Sequence, residues 1–318
     1  MVFLIFSLLC VAAGYTARKR RWASERVSVP LQLGALLWGW SPVAMVSFWR
    51  LPLSGPDGRQ VAIVMLMQPV VMVITTMVAA ALAARLRATA AQRGVLLIGA
   101  GISNTGFTLG AFLCYALIKP GPLALSYGMA FTMAMGVSLV LVMYPLAHHY
   151  GGTGGGSILR LVIASFTTVR AMPLYLSGFG VLLNLAGIPV PRQLDDWHIM
   201  EAIFFLGAGA AYAGIGLRLR LGDSLAAWRM HLILAAVQFI VHPAATLAIL
   251  VMLAAAGATP LPLVRDVLVV ESFMPTAINI VILANLFHLD ARLASVLWLW
   301  NTAIFCAIVL PSLVWIYG

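Results

Sequence analysis

Apolar residues along the chain fall into long runs separated by short polar or charged segments. Ten of these runs are 17 to 28 residues long, and a helix needs about 17 to 25 residues to cross a bilayer. They show no alternation of apolar and polar positions, which favours helices over the strands of a membrane barrel. The pattern predicts ten membrane-spanning helices, at 1–17, 29–49, 61–84, 94–118, 122–147, 172–190, 198–217, 229–256, 261–287 and 291–317.

Composition extends this prediction to the whole chain. Of its 318 residues, 63% are hydrophobic and only 9% are charged, whereas a soluble domain carries about 25% charged residues. No part of the sequence has the composition of a separate water-soluble domain. We therefore expect an all-α polytopic membrane protein with the lipid bilayer as its partner.

The formal net charge of +10 could suit a nucleic acid, but the basic residues lie mostly in short loops between apolar runs. Cytoplasmic loops ordinarily collect such residues. If residues 18–21 are cytoplasmic, 14 of the 19 Lys and Arg fall in cytoplasmic loops, and the external loops hold only Arg50, Arg59, Lys119, Arg192 and Arg265. This split predicts that both termini are outside and that there is no nucleic-acid partner. The expected location is the plasma membrane, of the bacterial inner membrane type.

The candidate reactive residues do not form a catalytic or metal-binding pattern. Cys10, Cys114 and Cys306 each lie inside an apolar run without CxxC or Cys/His spacing, so neither disulfides nor a metal site are indicated. No HExxH occurs, and no two Asp lie within the predicted spans. We expect no enzymatic activity, no metal and no cofactor.

A glycine-rich segment lies near the midpoint of the chain. Residues 148–160 read HHYGGTGGGSILR, the composition of a flexible linker. No GK[ST] follows the glycines, which argues against a phosphate-binding loop. We predict a cytoplasmic linker at 148–160.

Helix breakers recur in the same order on both sides of this linker. Gln68-Pro69 corresponds to His242-Pro243, and Pro145 corresponds to Pro311. A nearly constant offset indicates an internal repeat. Each half contains five predicted spans, and an odd number gives the two copies opposite orientations in the membrane. The sequence thus predicts two inverted five-helix repeats, at 1–147 and 161–318.

Polar residues interrupt the fourth span near its middle. Ser103, Asn104 and Thr105 lie between Gly101 and Gly106, about 15 Å from the cytoplasmic end at 1.5 Å per residue. Glycine weakens a helix, and Asn or Thr side chains can bond the backbone groups that open. A broken helix is predicted here.

The ninth span carries a matching interruption at Pro275, which removes a backbone donor and clashes with the preceding turn. Broken helices at the midplane offer positive helix ends to anions and freed carbonyls to cations. We predict a substrate site at these two broken spans, formed by Ser103, Asn104, Thr105, Gly106, Pro275, Thr276 and Asn279. The alternative is that these polar groups only bond neighbouring helices.

Three further polar residues are candidates for ion coupling. Glu271 lies one turn before Pro275, at a depth where an ionisable group is a functional candidate. His242 can change its charge near neutral pH, and Gln68 takes the matching place in the first repeat. Alternatively, Glu271 makes fixed bonds to freed backbone, His242 stays neutral and Gln68 caps a loosened turn. If transport is ion-coupled, we expect protons to bind at Glu271, with His242 as the second candidate.

Three motifs resemble the auxin efflux carrier family of membrane transporters, which has bacterial malate or malonate permeases. They are SNTGFTLG in the fourth span, LVVESFMPTAINIVILA in the ninth and ASVLWLWNTAIFCAIVLP in the tenth. The resemblance covers nearly the whole chain. It implies two inverted five-helix repeats, crossing broken helices in spans four and nine, and alternating access for small organic anions.

By position, the resemblance places Asn104, Thr105, Pro275, Thr276 and Asn279 at the crossing. The sequence departs from the family pattern in the seventh span, where Tyr212 lies near the usual proline.

The expected function is a secondary transporter that moves a small organic anion, a carboxylate, by alternating access. One alternative is a sodium-coupled organic-anion symporter resembling the bile-acid family, whose flux would stop without sodium. Another is a non-transporting membrane sensor, which would give no flux in vesicles. The sequence leaves open the substrate, the direction of transport, coupling to H⁺ or Na⁺, and the oligomeric state, with a homodimer as one alternative.

Overall fold

The computed structural model of the chain describes residues 2–53, 58–106, 109–152, 157–167, 169–196, 198–218 and 227–318. Within these residues the regular structure is helical, apart from one isolated β-bridge, which confirms the all-α class. The helices are α1 Val2–Lys19, α2 Glu25–Arg50, α3 Gly58–Ala83, α4 Ala90–Gly101, α5 Gly110–Leu117, α6 Gly121–Gly151, α7 Ile158–Thr167, α8 Met172–Leu185, α9 Gln193–Asp196, α10 Ile199–Arg218, α11 Trp228–Ala255, α12 Pro262–Ser272, α13 Asn279–Leu286 and α14 Ala291–Tyr317.

Five of these helices, α2, α3, α6, α11 and α14, are long and apolar enough to cross a membrane, with 26 to 31 residues each. Large apolar side chains on them are exposed, among them Leu66, Met252 and Trp315 at 66%, 69% and 87%. A bilayer can accommodate such surfaces, whereas water cannot do so readily. The chain is a helical integral membrane protein.

The other predicted spans coincide with the shorter helices α1, α8 and α10 and with two interrupted pairs, α4 with α5 and α12 with α13.

Four of the five long helices widen into a π-helical turn just before a proline. The turns are Ala35–Trp40, Leu139–Met143, Val237–Val241 and Phe305–Val309, followed by Pro42, Pro145, Pro243 and Pro311. In each, the residue before the proline donates its N–H to the carbonyl five residues earlier. Proline lacks an N–H and its ring displaces the carbonyl four residues back, so the turn widens. These prolines therefore widen their helices locally rather than end them.

The chain folds into two compact units, and each draws on both halves of the sequence. Unit 1 comprises Met1–Ser54 and Ser165–Leu219, and unit 2 comprises Gly55–Ala164 and Arg220–Gly318. Both units thus combine segments from before and after the glycine-rich stretch. Packing therefore groups the helices differently from the repeats at 1–147 and 161–318, which concern sequence symmetry and stay a prediction.

In unit 1, small residues allow close helix packing of the kind common in membranes. A side chain at Gly14 of α1 would overlap the carbonyl of Ala213 in α10, and one at Gly180 of α8 would overlap the carbonyl of Met45 in α2. Asn184 in α8 donates to the carbonyl of Leu51, which follows α2. Tyr212 is buried within α10.

In unit 2, α6 packs against α3 and α5, and α14 packs against α4 and the start of α11. Tyr127, Phe131 and Met143 of α6 are fully buried, as is Phe305 of α14. The predicted interruptions of the fourth and ninth spans are both present, between α4 and α5 and between α12 and α13. Both interrupted pairs belong to unit 2.

Helices overlap both ends of the predicted linker 148–160, whose role as a linker stays a prediction. Helix α6 continues to Gly151, and Tyr150 packs against Gly94. Gly152 then adopts a positive φ of 65° at the helix end. Helix α7 begins at Ile158, and 153–156 lie outside the described residues.

Candidate functional site at a helix crossing

The two interrupted helices of unit 2 meet through their non-helical segments. Ser103 and Thr276 lie directly opposite each other in an antiparallel bridge. The N–H of Asn104 donates to the carbonyl of Pro275 at 2.6 Å, and the N–H of Ala277 donates to the carbonyl of Ile102 at 3.2 Å. Each segment thus supplies hydrogen-bond partners that the other no longer has once its helix ends. We call residues 102–106 and 273–278 the crossing.

The crossing is buried although it is polar. Ser103 is 3% exposed, Asn104 is 9% exposed, and Thr105 and Thr276 are fully buried. Gly106 and Pro275 are buried as well. Buried polar groups without partners are costly, so the hydrogen bonds at this point decide whether the crossing is stable.

The carbonyls at the end of α4 are held by side chains from two other segments. The Gly99 carbonyl accepts from the Thr276 hydroxyl at 2.8 Å and from the Gln238 amide at 2.7 Å. The Ile102 carbonyl accepts from the same two groups at 3.3 Å and 3.4 Å. A helix end leaves such carbonyls without helical partners, so Thr276 and Gln238 act together as its cap. Sequence reasoning missed Gln238, although an amide four residues before His242 in an apolar helix is a detectable signal.

Asn301 of α14 is a second polar residue that sequence reasoning missed. Its Oδ1 accepts from the backbone N–H of Thr276 at 2.7 Å. Its Nδ2 has no hydrogen-bond partner among the described residues, although the side chain is only 3% exposed. The signal was present in the sequence as a lone Asn within the tenth apolar run.

The first half of the crossing is fixed to α5 and α6. The N–H groups of Gly110 and Ala111, which open α5, donate to the carbonyls of Asn104 and Thr105 at 3.0 Å each. The hydroxyl of Thr132 in α6 donates to the Thr105 carbonyl at 2.9 Å. The Thr105 hydroxyl lies 3.4 Å from the sulfur of Met135, so its side chain is directed at α6.

The structure brings Ser103, Asn104, Pro275 and Thr276 together at the crossing. Asn279 does not share these contacts. It is the first residue of α13, it is half-buried, and its side chain makes no hydrogen bond to the part of the chain that the structure describes.

The three candidates for ion coupling occupy separate places. Glu271 of α12 is fully buried, and its Oε1 lies 3.9 Å from the Cys114 sulfur. His242 is 6% exposed, with its Nδ1 3.5 Å from the Gln238 Oε1. Gln68 is 4% exposed, and its Oε1 has no partner among the described residues. His242 and Glu271 therefore do not form a hydrogen-bonded pair in the described structure.

Metal-binding geometry is not found in the described ranges, where no group of three or more His, Cys, Asp or Glu side chains could hold an ion. Cys10, Cys114 and Cys306 are free thiols.

No protein-family model matches the chain, and no curated protein is significantly similar to it. A functional proposal therefore depends on the crossing, on the residues around it and on the motifs in the sequence.

Proposed function

We propose that the chain is a secondary transporter that moves a small organic anion, a carboxylate, across the membrane by alternating access. The observation that carries this proposal is the antiparallel pairing of Ser103 with Thr276 between two interrupted helices. Interrupted helices that meet inside a membrane protein are a common way for secondary transporters to form a binding site. Non-helical backbone inside a membrane is costly unless it is buried in protein or lines a cavity, as it does in a transport site.

The hydrogen-bond pattern favours an anion over a cation at the crossing. The carbonyls of Gly99 and Ile102 already accept hydrogen bonds from Thr276 and Gln238, so they are poor ligands for a cation. The Asn301 side chain bonds Thr276 of the crossing through its Oδ1. Its Nδ2, a hydrogen-bond donor, has no partner in the described structure. The N-terminus of α13 follows the second unwound segment and adds a positive helix end, whereas the N–H groups that open α5 already donate to the Asn104 and Thr105 carbonyls.

The proposal includes the finer architecture that the sequence predicts, with ten spans in two inverted five-helix repeats. In that arrangement an alternating movement of the crossing relative to the other helices would expose the site to each side in turn. The resemblance to the auxin efflux carrier family supports a carboxylate as the substrate class.

A ligand screen tests the binding half of this proposal. Purified full-length protein is heated with malonate, malate and other small mono- and dicarboxylates, each with and without sodium. A ligand that binds only the folded state at 100 times its Kd stabilises it by about 2.7 kcal/mol. We expect at least one carboxylate to raise the melting temperature without sodium.

Two results would favour other functions. Stabilisation that requires sodium would favour a sodium-coupled symporter. A screen in which no carboxylate stabilises the protein, with no uptake into vesicles, would favour the non-transporting sensor.

A further inference from the structure

A carboxyl group is enclosed beside the crossing in a pocket of small residues. Glu271 of α12 faces Gly110 and Cys114 of α5 and Gly128 of α6. A Cβ at Gly110 would overlap the Glu271 Oε2, and one at Gly128 would lie 3.0 Å from its Oε1. The absence of side chains at these two glycines is what leaves room for the carboxyl. We call these four residues the Glu271 pocket.

The Glu271 pocket provides almost nothing that could stabilise a negative charge. The Cys114 thiol, a weak donor, is the only side-chain partner of the carboxyl among the described residues. Glu271 Oε2 has no hydrogen-bond partner at all in that part of the chain. Within the same residues the carboxyl makes no bond to the backbone freed by Pro275, so it is not fixed in the way that a purely structural role would require.

The helices packed against α12 bring no countercharge to the carboxyl within the described residues. These helices are α3, α5, α6 and α11, and their ionisable residues include Arg59, Cys114, Tyr115, Tyr127 and His242. Of these, Cys114 alone contacts the carboxyl in the described structure. On α12 itself, Arg265 and Asp266 pair with each other at 3.0 Å. An ionised carboxylate buried without a partner is strongly unfavourable, and such a group takes up a proton instead.

The side chains that line the Glu271 pocket favour a proton over a sodium ion. Hard metal cations require several oxygen ligands, but Gly110, Gly128 and Cys114 present no side-chain oxygen to Glu271. A proton needs only the carboxyl itself.

We propose that Glu271 is the proton-binding group of the transporter, protonated while the Glu271 pocket is closed and ionised when α5 and α6 separate from α12. On opening, the O–H bond breaks, its electron pair stays on the carboxylate and the proton passes to water. The coupling of this step to substrate movement rests on the proposed transport function, whereas the protonation itself does not.

Infrared spectroscopy of the purified full-length protein measures the protonation directly. A protonated carboxyl gives a C=O stretching band, which exposed Asp and Glu side chains do not give at neutral pH because they are ionised. We expect wild-type protein to show the band of a protonated carboxyl, Glu271→Gln to lose it, and Asp266→Asn on the same helix to keep it. A wild-type spectrum without the band, or a band unchanged in Glu271→Gln, would overturn the proposal.

Two further variants keep the test valid if Glu271→Gln does not fold. Cys114→Ala removes the thiol that donates to the carboxyl, so the band should move while remaining present. Gly128→Ala should also shift it, because the added methyl contacts Oε1. A band that neither variant moves would reject Glu271 as its source.

Uptake of malonate into proteoliposomes under an imposed pH gradient tests the coupling. Wild-type uptake should depend on the gradient, and Glu271→Gln should lose that dependence. A gradient-dependent Glu271→Gln variant, or uptake that requires sodium, would overturn the coupling while leaving transport intact. A protonated-carboxyl band together with no uptake of any carboxylate would instead support the proton site and reject the proposed transport function.

Discussion

Asn301 accepts a hydrogen bond from the backbone N–H of Thr276 at 2.7 Å, which ties α14 to the unwound segment between α12 and α13. Thr276 in turn donates through its hydroxyl to Gly99 at the end of α4. One residue of the crossing thus connects three helical segments of unit 2. A change at Thr276 should affect the stability of the whole crossing.

Replacing Thr276 with Val removes the hydroxyl and keeps the shape of the side chain. The Ile102 and Gly99 carbonyls then lose a donor in a fully buried position. We expect the free energy of unfolding to fall by about 1–3 kcal/mol, measured as a lower melting temperature in detergent.

Thr302→Val provides the matched control in α14, because the Thr302 hydroxyl is buried without a partner in the described structure. This substitution removes no hydrogen bond and should leave the melting temperature unchanged or raise it. An equal fall in melting temperature in the two variants would mean that the Thr276 hydroxyl does not cap α4.

Gly128→Ala tests the close packing of the Glu271 pocket by stability. The added Cβ would lie 2.9 Å from the Ala111 Cα and 3.0 Å from the Glu271 Oε1. Such overpacking costs about 1–3 kcal/mol, so the melting temperature should fall.

Gly136→Ala in the same helix has open space, with nothing within 4 Å of the new Cβ. It should stabilise the protein by up to about 1 kcal/mol, since alanine restricts the unfolded chain. If Gly128→Ala were as stable as Gly136→Ala, the pocket would be looser than described.

The positions of the two helix interruptions could be predicted from sequence because their causes are local. Glycines around Ser103 weaken one helix, and Pro275 breaks the other. Gln238 and Asn301 could not be assigned in the same way, because their partners lie on other helices and depend on packing. The two compact units could not be predicted either, since apolar runs do not indicate which helices pack together.

The prolines show that prediction from sequence is limited within single helices as well. Pro145, Pro243 and Pro311 are all visible as breakers, but whether a helix ends or widens depends on the turn before the proline. In each case the preceding N–H bonds the carbonyl five residues back, and the helix continues. Residues 148–151 have the composition of a linker but are helical, and Tyr150 among them packs against Gly94 of α4.

The charge distribution predicts that both termini are external and that the segment around Ser157 is cytoplasmic. Single cysteines at Ser157 and Gly318, introduced after Cys10, Cys114 and Cys306 are replaced, can be labelled from either side with a membrane-impermeant thiol reagent. We expect labelling of Gly318→Cys from outside and of Ser157→Cys only after permeabilisation. External labelling at residue 157 would refute this topology.

The most direct test of the proposed function is uptake of radiolabelled carboxylates, malonate and malate first, into proteoliposomes containing the purified protein. We expect uptake above protein-free liposomes in wild type and its loss in Asn104→Leu and Asn279→Leu. Asn104 lies in the crossing, and the amide of Asn279, which follows the crossing at the start of α13, has no hydrogen-bond partner in the described structure and is available to a substrate. Asn285→Leu, in the same short helix as Asn279 but exposed, should transport normally. Wild-type uptake by both the Asn104 and Asn279 variants, or no uptake of any carboxylate by the wild type, would contradict a transport site at the crossing.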